Sequence, residues 1–137
     1  MLLKKLIRDE GGFSLTELLV VIVIIGVLAS LALPKFLSVI TKAKSTEAKL
    51  MLKQVYDLEK SHYLEKDVYS SELQAIGFDA ETLVTDGGQA RYKLQIEEAS
   101  ADGFKAVAVA VVDFDRDGVM NVWSINQDGV LQEEIPD

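Results

Sequence analysis

No cysteine occurs anywhere in the 137 residues, so neither a disulfide nor a thiolate metal site can brace this fold. There is one histidine, His62, and it has no paired serine or cysteine nucleophile, which assigns it a structural rather than a catalytic place. Walker loops, catalytic triads and His/Cys metal clusters are all missing, so an enzyme would have to work without any of the usual signatures. The reading is therefore of a protein that is not an enzyme. Aromatic residues are 7% of the chain and scattered, which argues against a filament conducting through stacked rings. Basic residues are also few: 14 Lys and Arg oppose 22 Asp and Glu, for a formal net charge of -8. Without the first twelve residues, where Lys4, Lys5 and Arg8 outweigh Asp9 and Glu10 by one, the remainder carries -9. That acidity argues against nucleic acid as the main partner, because phosphate binding rests on clustered Lys and Arg.

What is abundant is apolar and lies in one place. From Leu18 to Leu33 every residue is apolar or small. As a helix, Phe13 to Pro34 would rise ~33 Å, enough for a ~30 Å hydrocarbon core. A cleaved secretory signal would need a shorter apolar region, although Ala29-Ser30-Leu31-Ala32 faintly resembles its cleavage site. Lys35, Lys42 and Lys44 balance the basic residues before the run, so charge bias does not set the orientation. Glu17 stands inside the Phe13–Pro34 stretch, where an ionised side chain costs at least ~2.5 to 3.5 kcal/mol, and a carboxylate kept there is a functional candidate. Gly26 and Pro34 are candidate kink positions, since proline removes a backbone hydrogen bond and clashes with the carbonyl of Ser30.

A short basic leader, then Gly12-Phe13-Ser14-Leu15-Thr16-Glu17, then an apolar helix reaching Pro34, resembles the class III signal of type IV pilins and their type II secretion relatives. The resemblance covers roughly the first 35 residues. It implies that a prepilin peptidase/N-methyltransferase cuts between Gly12 and Phe13 and methylates the new amine of Phe13. Glu17 is then the assembly residue. Residues 1–12 become the leader, 13–34 the transmembrane and assembly half of the helix, 35–65 its amphipathic half and 66–137 the globular region. An intramembrane carboxylate is neutralised by an amine, so pairing the Phe13 amine of one subunit with Glu17 of another would pin their register. Relatives melt a stretch of this helix on extension; a simple kink at Pro34 is the alternative.

Beyond Lys35 the residues stay helix-compatible to about Leu64. Ala48, Met51, Leu52, Val55 and Leu58 form an apolar stripe that fits packing on a sheet better than a coiled-coil seam. Ser61 to Asp79 reads as helix end, loop and short turn, and Gly87-Gly88 as a linker. Tyr92, Leu94 and Ile96 alternate with polar residues as in a half-buried strand, and Phe104 to Val112 suits a central strand. Val119 to Ile125, a turn at Asn126-Gln127-Asp128-Gly129, and Val130 to Gln132 suggest a hairpin. The expected fold is α+β: a long N-terminal helix, its first half transmembrane, packed at its second half on three or four antiparallel strands.

Between two strands lies DFDRDGVMN, Asp113 to Asn121. Asp113, Asp115 and Asp117, Gly118 for the turn, the carbonyl of Val119 and Asn121 match the first nine positions of a calcium loop. Position twelve is Ser124 instead of the closing glutamate, so Asp128 or Glu133 would have to complete a site. An acidic β-turn is the plainer alternative. Ca2+ is the one cofactor suggested, because three close carboxylates repel without a cation and a small cysteine-free domain benefits from a staple.

The leading functional reading is a structural subunit of a type IV pilus. It would be made as an inner-membrane prepilin with a periplasmic C-terminal region and polymerised into an extracellular filament. Its partners are further copies of itself, the peptidase, the assembly platform, minor pilins and, before assembly, membrane lipid. A pseudopilin of type II secretion is the nearest rival, although the proline-containing tyrosine motif associated with its major form is missing. An uncleaved single-pass membrane protein with a calcium-binding domain is the alternative of another class.

Overall fold

The computed structural model describes residues 11–137; most of the expected leader, residues 1–10, lies outside them. One helix, α1, covers Leu15–Lys66, 52 residues with Pro34 inside it. By internal contacts the chain divides into two compact units, one ending at Phe36 and the other Leu37–Asp137.

In the first unit the chain is helical from Leu15 on, and from Leu18 to Leu33 this helix is apolar or small on every side. Its large side chains stand open, from Leu18 at 57% through Ile22 at 62% to Leu31 at 71% exposure. Helix periodicity is absent because there is no polar face to alternate with, the pattern of a segment covered all round by lipid or by other helices.

In the second unit the helix is amphipathic, and Ala48, Leu52 and Val55 are fully buried. Met51 and Leu58 pack at the margin of the same core. The stripe meets a four-stranded sheet: β1 (Tyr92–Ala99), β2 (Phe104–Ala110), β3 (Val122–Asn126) and β4 (Leu131–Ile135). The strands are antiparallel and lie in sequence order. β2 sits between β1 and β3, as its apolar character requires. Two boundaries differ from expectation. β3 begins at Val122 instead of Val119, because Asn121 is turned inward and belongs to the loop; β4 runs on to Ile135.

The aromatics scattered in sequence meet in space. Tyr63 stacks on Tyr69 with centroids 4.6 Å apart, Tyr69 meets Phe104 at 5.1 Å, and Phe104 meets Tyr56 at 6.5 Å. These rings join the end of α1, the loop after it and β2, a role for aromatic burial that replaces a disulfide.

Glu59 interrupts the buried stripe. It is fully buried, and its Oε2 accepts the Ser70 N–H at 3.0 Å while Oε1 has no partner. Burial raises its pKa, against the Ser70 hydrogen bond and the nearby His62, which lower it. The folded state thus holds the proton more tightly than the unfolded chain. Glu59 stabilises the fold best below its unfolded value near 4.5, and that stability is lost as pH rises from there through the raised folded value. Glu59→Gln, which keeps an acceptor for Ser70 but carries no charge, is expected to melt roughly 5 °C higher at pH 7, since an ionised carboxylate held in a desolvated site costs on the order of 1 kcal/mol or more. Thermal melts of both proteins from pH 4 to 8 check this: a wild-type curve with no excess fall over the variant would remove the buried charge from the account.

Candidate functional site

Two places concentrate the residues that the sequence marks out. The first is the start of α1. Ser14 and Glu17 form a reciprocal cap: the Glu17 N–H donates to Ser14 Oγ at 3.2 Å and the Ser14 N–H donates to Glu17 Oε2 at 2.8 Å. This satisfies two backbone donors that a helix start leaves open. The pattern Ser-x-x-Glu ahead of an apolar run was legible in the sequence as a capping box, so Glu17 has a local partner that the reading by resemblance missed. Phe13, 91% exposed, and Glu17 line one shallow surface recess with Thr16, Val20 and Val21. Farther along, the Ser30 hydroxyl donates to the Val27 carbonyl at 2.8 Å, in the turn before the one that Pro34 deprives of a hydrogen bond. α1 runs unbroken through both Gly26 and Pro34.

The second place is the acidic loop between β2 and β3. Its carboxylates fold the backbone around themselves. Asp113 accepts the N–H groups of Arg116 at 2.6 Å and Gly118 at 2.7 Å, Asp115 accepts that of Asp117, and Asp117 that of Val119. Gly118 sits at φ +91°, which a side chain would strain, and Arg116 at φ +67°. The Gly118 N–H is the main reason that the Asp113 pKa is lowered.

Asp137, just past the end of β4, meets this loop. One oxygen each from Asp113, Asp115, Asp117 and Asp137 lies within 4.8 Å of the others. Asp137 also accepts the Phe114 N–H at 3.3 Å and the Thr41 hydroxyl at 3.5 Å, which ties the loop to α1. Burial raises the Asp137 pKa, the Phe114 N–H lowers it, and the charges of Asp115, Asp113 and Asp117 raise it further.

Asn121 is turned to other partners. It is fully buried, with its Oδ1 accepting the Tyr92 hydroxyl at 2.7 Å and its Nδ2 donating to Glu133 Oε1 and the Ile135 carbonyl. Its amide is thereby spent on binding β1 to β4, and Glu133, expected as a completing ligand, is engaged with it. Ser124, at position twelve, donates its hydroxyl to Glu134. For Val119, the backbone N–H is committed to Asp117. Asp128, at the β3–β4 turn, is outside the four-carboxylate group.

The group fits a hard cation by geometry. Oxygens up to 4.8 Å apart are the spacing found across an ion with oxygen ligands at about 2.4 Å. Four carboxylates are a donor type that suits a hard cation such as calcium better than zinc or copper.

Comparison with known proteins bears on the helix more than on the loop. The prokaryotic N-terminal methylation motif matches residues 7–33. The type IV major pilin protein PilA of Myxococcus xanthus is 46% identical over 70 residues, 51% of this chain and 32% of the relative. Type II secretion system core protein G of Pseudomonas aeruginosa is 36% identical over 69 residues, 50% of this chain and 49% of the relative. A fimbrial protein of Neisseria meningitidis is 27% identical over 124 residues, 90% of this chain and 71% of the relative. The match thus spans a third of the first relative and half of the second. With the methylation motif, these relatives and a helix on an antiparallel sheet, the chain is similar to type IV pilins and to the type II secretion pseudopilins, most closely over its N-terminal helix.

Proposed function

We propose that this chain is the structural subunit of a type IV pilus, cut between Gly12 and Phe13, N-methylated at Phe13 and polymerised through the apolar half of α1. The observation that carries the reading is the bareness of that half. The helix is long and apolar enough to cross a membrane, and an 18-residue window with mean hydropathy 2.6 has none of its surface buried within the subunit. Such a surface must be covered, by lipid before assembly and by the same helix of neighbouring subunits after it. The methylation motif lies in register with it, at 7–33. In this reading Glu17 meets the Phe13 amine of a neighbour and fixes the axial stagger, while Val, Ile and Leu supply the contact area. Gly26 and Pro34 are the places where the helix would yield under tension.

The acidic loop has a supporting part. Asp113, Asp115, Asp117 and Asp137 would hold Ca2+, which would cross-link the loop to the end of β4 in a domain without disulfides. Asp137 replaces Asn121 in the ligand set first expected.

A second reading, as a subunit of a type II secretion pseudopilus, is favoured by the similarity to core protein G. Intact mass of this protein in material sheared from the cell surface, compared with cell membranes, separates the two. The pilus reading expects a sheared species beginning at methylated Phe13. A processed chain confined to membranes supports the pseudopilus, and a chain still beginning at Met1 in both fractions refutes cleavage.

A further inference from the structure

Charge is unevenly placed on the second unit. Lys42, Lys49, Lys53 and Lys60 fall within about 40° of one another around α1 at 3.6 residues per turn, so they form one row on one side of the helix. Aromatic rings lie beside three of the four: Lys49 is 4.3 Å over Trp123, and Lys53 and Lys60 are 5.7 and 5.5 Å from Tyr56. None of the four is in an ion pair among the described residues.

The opposite flank is acidic. The segment 67–90 holds five carboxylates, Asp67, Glu72, Asp79, Glu81 and Asp86, and no lysine or arginine. Glu47 and Glu65 of α1 stand on that side too, roughly 140° round from the lysines. There a notch of about 190 Å³ is lined by apolar Leu50, Met51 and Phe78, by Gln54, and by the carboxylates Glu47, Asp79 and Glu81. Glu47 is shared with Arg91 at 3.2 Å, but Asp79 and Glu81 are exposed and in no ion pair among the described residues. Leu50 is 67% exposed. A lysine suits such a notch, with its methylene stem on the apolar side chains and its ammonium at the carboxylates.

We infer that the lysine row of one copy docks on the acidic flank of the next, with a lysine seated in the Glu47–Asp79–Glu81 notch. The two surfaces are different and lie on different sides of the same helix, so the contact is heterologous. Such contacts do not saturate at a dimer; they continue from copy to copy. An isologous contact through the lysine row would set lysine against lysine. Three of these lysines already lie beside Trp123 or Tyr56, so docking fixes less side-chain freedom than it would for free lysines. The inference rests on the filament reading, and gives its globular parts an electrostatic contact separate from the Glu17 pairing.

Because the chain has no cysteine, paired substitutions can report the contact directly. In cells that assemble the full-length protein, Lys53→Cys together with Glu81→Cys should give an oxidised ladder of dimers, trimers and longer species in sheared material, and neither substitution alone should. A charge exchange supplies the second measure: Lys53→Glu should lower sheared filament by about tenfold, and adding Glu81→Lys should restore it. Filaments that form normally, with no ladder and no response to Lys53→Glu, overturn this contact and leave the filament reading standing. Dimers from Lys53→Cys alone would overturn it in favour of a symmetric contact. Absence of surface filaments from the unsubstituted chain would refute the filament reading itself, and this inference with it.

Discussion

Glu17→Ala should leave the chain cleaved at Gly12 and methylated at Phe13 yet reduce sheared filament by about a hundredfold or more, because removing one partner of a buried ion pair costs ~3–5 kcal/mol. The loss arises when the Phe13 amine of one subunit is placed in the apolar filament core with no carboxylate to meet it. Alanine also removes the reciprocal cap with Ser14, in which the Ser14 N–H donates to Glu17 Oε2 at 2.8 Å. Glu17→Gln separates these effects. Glutamine serves a capping box as well as glutamate does, but it has no charge to offer an amine. If charge pins the register, Glu17→Gln should be nearly as defective as Glu17→Ala. Normal filament from the glutamine variant would reduce Glu17 to a helix cap, and normal filament from both would end its assembly role. Processing is read in the same samples by intact mass.

Calcium should raise the melting temperature of a fragment comprising Leu37–Asp137, the second compact unit, by about 10 °C or more at a hundredfold excess over Kd. A ligand at that excess stabilises by ~2.7 kcal/mol, and ~1 kcal/mol shifts a domain of this size by about 4–8 °C. The physical reason is that four carboxylates with mutual oxygen separations within 4.8 Å repel one another until a cation is among them. Asp115→Ala should abolish the response, and so should Asp137→Ala, which the loop sequence by itself would not have named. A chelator should return the wild-type fragment to its metal-free melting temperature. An unchanged melt at millimolar calcium would make the loop an ordinary acidic turn. A shift that survives Asp137→Ala would place the ion elsewhere in the loop.

The helix was legible because its signals are local. A run of Val, Ile and Leu from Leu18 to Leu33 needs no tertiary context to be helical and lipid-compatible, and the amphipathic stripe of Ala48, Leu52 and Val55 emerges from spacing alone. Ser14 and Glu17 could have been read as a cap on the same basis. Glu59 could not: its position on the buried face follows the stripe, but only the fold shows that the loop at Ser70 closes over it with one N–H.

The sequence by itself determined the long apolar helix, the α+β class and the cluster of Asp113, Asp115 and Asp117, because each depends on neighbours within a turn or a loop. Tertiary structure decided what those carboxylates meet. Pairing of Val122 with Ile135 returns the C-terminal strand to the loop and brings Asp137 to a position that twenty residues of sequence conceal. The same pairing draws Asn121 inward to Tyr92, Glu133 and Ile135, since a buried amide must satisfy both its ends. Antiparallel register joins residues far apart along the chain, and no periodicity within one segment encodes which partner that will be.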